Sequence, residues 1–142
     1  MPLTPAEPQP VDAAVNAFVA AWEDAVRRRD LDAVTALLAE DVTFRSPAVH
    51  RPYAGRETVT ALLGVVTQVF GELTYTGVYA SGSGGVVMQF ETTVQGPERA
   101  FDLEGVDIFQ LGPDGRVRDM CVMIRPFTGL QALAAAIAAK LS

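Results

Sequence analysis

Few side chains in this 142-residue chain are suited to moving a proton near neutral pH. The one histidine, His50, lies in SPAVHRPYAG at 46–55, and Tyr53 follows it by three residues. An imidazole titrates close to neutrality without assistance, and a phenol can supply a hydrogen bond to the same site. The most informative acid is Asp107, in FDLEGVDIF at 101–109. That stretch alternates as a strand does, with Phe101, Leu103, Gly105, Asp107 and Phe109 on one face. If this face turns inward, desolvation favours the neutral acid, which can donate a hydrogen bond to a carbonyl. Two other readings stay open: a carboxylate satisfied by a buried donor such as the Trp22 indole N–H, or a strand that faces the other way.

The elements that must position these groups follow from hydrophobic periodicity. Residues 11–29 read as a helix, with Val11, Val15, Phe18, Val19, Trp22 and Val26 in one stripe. A second helix is predicted over 30–39, with Asp30 as its N-cap. VTFRS at 42–46 reads as a short strand, 46–55 as a Pro- and Gly-containing loop, and 56–70 as a third helix. Four strands are then predicted, at 73–81, 86–94, 101–110 and 116–124, joined by SGSGG, GPER and GPDG turns. GLQALAAAIAAKL at 129–141 is an alanine-rich helix whose stripe of Leu130, Leu133, Ile137 and Leu141 requires a partner. Helices grouped early and hairpins grouped late indicate an α+β domain over 11–142, preceded by a disordered Pro-rich tail at 1–10.

Bulk properties exclude several functions. Net charge is −6 and no basic run exists, so phosphate neutralisation on nucleic acid and docking on anionic lipid are not expected. No apolar run suits a membrane span. A single cysteine, Cys121, permits no intrachain disulfide and fits a reducing cytoplasm. The absence of a Cys/His cluster argues against a zinc site, and no cofactor is implied. The N-terminal MPLTPAEPQP lacks the pattern of a signal peptide.

Three segments carry a resemblance: RDLDAVTALLAEDVTFRSP at 29–47, YAGRETVTALL at 53–63 and GVDIFQLGPDGRV at 105–117. Together they resemble the nuclear transport factor 2-like, or SnoaL-like, superfamily. The resemblance implies a cone: a strongly curved, mostly antiparallel sheet packed by three N-terminal helices, with the C-terminal helix added. It implies an inner wall of Phe18, Trp22, Leu62, Val66, Met88, Phe90, Leu103, Met120, Val122 and Ile124, suited to a small apolar ligand with one or two oxygens. It also implies a homodimer through the outer sheet face, where Gln89, Glu91, Asp119, Cys121, Met123 and Arg125 fall.

Against ketosteroid isomerase, a protein of similar type, Asp107 takes the place of the protonated acid, Trp22 that of the tyrosine, and Ser46 that of the carboxylate base. A serine without an activator cannot take a proton from carbon. Against limonene epoxide hydrolase, Gln89, Glu91 and Val122 stand where that enzyme's Asp–Arg–Asp set would be. The resemblance thus implies either an isomerase, cyclase, lyase or epoxide hydrolase using Asp107 with His50 and Tyr53, or a non-catalytic dimeric ligand-binding module. A protein-interaction role ranks below both.

Overall fold

The structure is a computed structural model and describes residues 13–142; the proline-rich tail at 1–10 and Val11 lie outside the described residues. The chain begins with α1 (Ala13–Arg27), whose buried positions Val15, Phe18, Trp22 and Ala25 recur at the helical spacing. A short α2 (Leu31–Ala36) follows. Its N-cap is Asp30, whose carboxylate accepts from the Ala33 N–H at 3.0 Å, a cap that contributes about 1 kcal/mol. The intervening arginines divide their work. Arg28 pairs with Asp24 and Asp30. Arg29 takes a left-handed φ of 53° and donates to the carbonyls of Thr67 and Gly71. Those carbonyls lie at the C-terminal end of α3 (Arg56–Val69), where backbone acceptors lack helical partners.

Strand β1 (Leu38–Arg45) starts earlier than the sequence predicts. Leu38 and Ala39, expected at the end of a helix, are buried strand residues, and Leu38 pairs with Val117. A Leu-Leu-Ala run fits helix and buried strand equally well, and the pairing decides. The expected loop at 46–55 also contains a two-residue strand, β2 (Tyr53–Ala54), which pairs with Phe44 and Thr43. The remaining strands are β3 (Thr74–Ala80), β4 (Gly85–Gln95), β5 (Ala100–Leu111) and β6 (Val117–Arg125).

The six strands form one curled sheet in the order β2-β1-β6-β5-β4-β3. Among the described residues only the β1–β6 pairing is parallel. The architecture is α+β. The concave face of the sheet carries the core, in which Phe90, Phe109, Met88 and Leu38 are almost completely buried. The last helix, α4 (Phe127–Leu141), packs on β4, β5, β6 and α3. Gly129 lies against the Leu103 side chain so closely that a Cβ there would stand 2.4 Å from Leu103 Cδ2.

Candidate functional site

Strand alternation puts Asp107 on the concave face, directly across from Met88 on β4 and Val122 on β6. It is 5% exposed, and Thr92 is the other buried polar side chain among the described residues. Burial pushes the Asp107 carboxyl up from 3.8 to about 7, and the hydrogen bond from Tyr75 partly opposes that rise. The Tyr75 hydroxyl donates to Asp107 Oδ2 at 2.7 Å. Its oxygen in turn accepts from the Trp22 indole N–H at 2.8 Å. Burial raises the Tyr75 phenol well above its usual value, and the adjacent Asp107 charge adds to the rise. The chain of donors Trp22→Tyr75→Asp107 therefore ties α1, β3 and β5 together at one point.

The group opens onto a cavity of about 280 Å³ between the concave face, the first three helices and α4. Its wall is almost entirely apolar. Trp22, Tyr53, Leu62, Val66, Phe90, Met120, Val122 and Ile124 line it. The stripe of α4, Leu130, Leu133, Ile137 and Leu141, completes the wall. No buried side-chain nitrogen or oxygen among the described residues lacks a partner. Asp107 Oδ1 makes no hydrogen bond to a described residue, and because no fully buried polar atom is left unpaired, this oxygen is the one open to the cavity that Asp107 lines.

Gly105, two residues before Asp107 on the same face, makes room for the wall. A Cβ there would stand 2.7 Å from Phe90 Cζ and 2.6 Å from the Met123 carbonyl.

Four predicted site residues lie elsewhere. Phe18 is core: its ring meets Phe109 edge-on at 5.0 Å, beneath the cavity wall. Met88 is fully buried in the same core. Leu103 belongs to a small cluster with Val94 and Leu133 under α4. All three are buried, and they pack within the core or under α4 rather than on the cavity wall. His50 is exposed in the turn after β1 and does not line the cavity, so it is separated from Asp107. Tyr53 does line the cavity; its ring lies 6.5 Å from that of Phe44.

Tyr75 was missed. Parity in LTYTGVYAS places it with Leu73 on one face, which is the one hint of an inward phenol. The register Tyr75↔Phe90↔Gly105, which brings it within reach of Asp107, exists only in the folded sheet. On the outer face, Arg45 pairs with Asp119 and Arg125 with Glu104, while Glu91 is exposed and Gln89 half-buried. Ser46 lies at the cavity wall, and its hydroxyl accepts from the Ala48 N–H at 3.1 Å.

Among the described residues no group of three His, Cys, Asp or Glu side chains could hold a metal ion. No helix among them is long and apolar enough to cross a membrane.

A curled sheet closed by helices around an apolar cavity with one carboxyl defines a class of cone-shaped α+β proteins. The SnoaL-like domain model matches residues 15–120, and the chain belongs to this family. It is similar to a steroid delta-isomerase from Pseudomonas aeruginosa, with 40% identity over 93% of this chain and 94% of that one and a TM-score of 0.84. It is also similar to an uncharacterised bacterial protein with a cystatin-like fold from Silicibacter pomeroyi, at 32% identity, 91% and 88% coverage and TM-score 0.81. An epoxide hydrolase from M. tuberculosis shares the fold at 18% identity, 88% and 92% coverage and TM-score 0.65. No curated protein matches the sequence.

Proposed function

We propose that the protein takes a hydrophobic molecule bearing a carbonyl or comparable oxygen into its cavity and polarises that oxygen with Asp107 acting as a neutral acid. One observation carries this reading: among the described residues the single cavity carboxyl keeps one oxygen for Tyr75 and leaves the other without a hydrogen-bond partner. A ligand that expels water from an apolar cavity strengthens such a hydrogen bond and disfavours the ionised form. Carbonyl polarisation begins isomerase, cyclase and lyase reactions alike. The likeness to a protein named steroid delta-isomerase at 40% identity supports the isomerase direction. Tyr53, on the same cavity wall, is a second group able to donate.

A specific observation favours the alternative, a binding module without turnover. Removing a proton from carbon needs a base, and among the described residues the cavity wall holds no second carboxylate and no histidine. Ser46 stands there instead.

The two readings separate in one experiment. Wild type and Asp107→Asn are compared for binding and turnover of a β,γ-unsaturated steroid ketone and of smaller cyclic ketones. The enzyme reading expects turnover that falls at least about 100-fold in the variant, the lower range for a general acid. Binding without turnover supports the module. Unchanged turnover in Asp107→Asn removes the acid role altogether.

A further inference from the structure

The hydrogen bonds around Asp107 have a direction, and it is set at Trp22. An indole N–H can only donate. Trp22 Nε1 lies 2.8 Å from the Tyr75 oxygen, so that oxygen is occupied as an acceptor and its own proton is left to point onward. The onward contact is Asp107 Oδ2, at 2.7 Å. Trp22 itself is 2% exposed and is wedged by Phe109, whose ring centroid is 4.8 Å away, and by Phe18. The head of the chain therefore cannot turn away.

We propose that Trp22 and Tyr75 are a one-way positioning pair: Trp22 orients the Tyr75 hydroxyl, and Tyr75 reserves Oδ2 as an acceptor, so that the acid proton of Asp107 is carried on Oδ1 toward the cavity. The inference rests on the reading of Asp107 as a hydrogen-bonding acid but concerns how that acid is prepared. Without the pair, a neutral carboxyl has two equivalent oxygens and its proton spends part of its time away from the ligand. With it, the donor is aimed before any ligand arrives, and no reorganisation is required on binding.

The surroundings leave little else to act on the carboxyl. From α1 come Trp22 and the exposed Glu23, whose charge acts on Tyr75. From β3 comes Tyr75. The facing partners on β4 and β6, Met88 and Val122, are apolar. The cavity residues of α3 and α4 are apolar apart from Thr67, whose hydroxyl is bonded within α3 to the Gly64 carbonyl. No basic side chain contributes to the Asp107 titration.

The test is a ¹³C-carboxyl NMR titration of Asp107 in ligand-free protein, so its outcome does not depend on whether a substrate exists. Because Tyr75 holds down the ionised form's cost, Tyr75→Phe is expected to raise the midpoint by about one pH unit or more, tenfold in proton affinity. Trp22→Phe is expected to raise it by less, since the phenol remains but is no longer oriented. Incorporating 3-fluorotyrosine at position 75, which makes the phenol a stronger donor and removes no atom from the packing, is expected to lower it. Midpoints unmoved by Tyr75→Phe and by the fluorinated phenol overturn the proposal even if Trp22→Phe fails to fold. Absence of both turnover and binding in the wild type, with these midpoints moving as expected, would instead count against the function proposed above.

Discussion

Two carboxylates on this sheet, Asp107 and Asp119, lie on opposite faces and have opposite fates. Asp107, on β5, faces the concave side, meets one neutral donor and no cation, and titrates near 7. Asp119, on β6, faces outward. Partial burial pushes it up, but hydrogen bonds from Arg45 and Thr43, with the Arg45 charge, more than reverse this and hold it below the usual carboxylate value. Both sit on paired strands of one sheet; what differs is the face, and with it whether a solvated guanidinium can reach. Among the described residues the helices that close the concave face bring no cation to the cavity wall, and a carboxyl buried there is neutral for much of the pH range. The concave face can therefore present an acid, and the convex face presents ion pairs.

The largest effect that tests this contrast is on stability against pH. The Asp107 midpoint is raised on folding, from 3.8 to about 7. Folding thus favours the proton. The resulting stabilisation is complete below about pH 4 and is lost as pH rises through 7, by at most about 4 kcal/mol at 1.36 kcal/mol per pH unit. Asp119, held low, contributes in the other direction: its stabilisation is present above the usual carboxylate range and is lost in acid. Asp107→Asn removes only the first dependence. Its urea-unfolding free energy, compared with that of wild type, should gain steadily between pH 4.5 and 8. A difference between the two proteins that stays constant with pH would break the comparison.

The next effect concerns the wall beside Asp107. Gly105→Ala drives a methyl into the Met123 carbonyl and the Phe90 ring and should cost about 1–3 kcal/mol, as overpacking does. Thermal unfolding of the variant measures it, and a neutral result would mean that the wall yields. The smallest effect belongs to the outer face. Asp119→Asn removes a pair whose arginine is 53% exposed, so solvent screening leaves less than about 1 kcal/mol. A larger loss at neutral pH would show that Asp119 is more than a solvated partner.

Much of this arrangement was legible in the chain. Alternation in FDLEGVDIF put Asp107 with Leu103 and Phe109, and that face is the buried one. Of the helical stripe, Val15, Phe18 and Trp22 are buried at the spacing it requires, and Val19 and Val26 are half-buried. The inner positions on β6, Met120, Val122 and Ile124, reach the cavity wall. What parity cannot supply is depth along a curled sheet. Phe18, Met88 and Leu103 share the correct faces yet lie in the core or under α4 rather than at the cavity. Nor can short-range pattern place a loop: His50 sits near Tyr53 in sequence, but β2 draws Tyr53 inward and leaves His50 outside.

The sequence by itself determined the main helices, the four later strands, the alternation of β5 and the presence of one acid on an apolar face. These depend on residues within a few positions of each other, because helix and strand periods are local. Tertiary structure alone decided that the acid is met by Tyr75, that Tyr75 is oriented by Trp22, and that α4 closes the cavity over them. Those contacts join residues 32 and 53 positions apart, and they depend on strand register and sheet curvature, which no local period encodes.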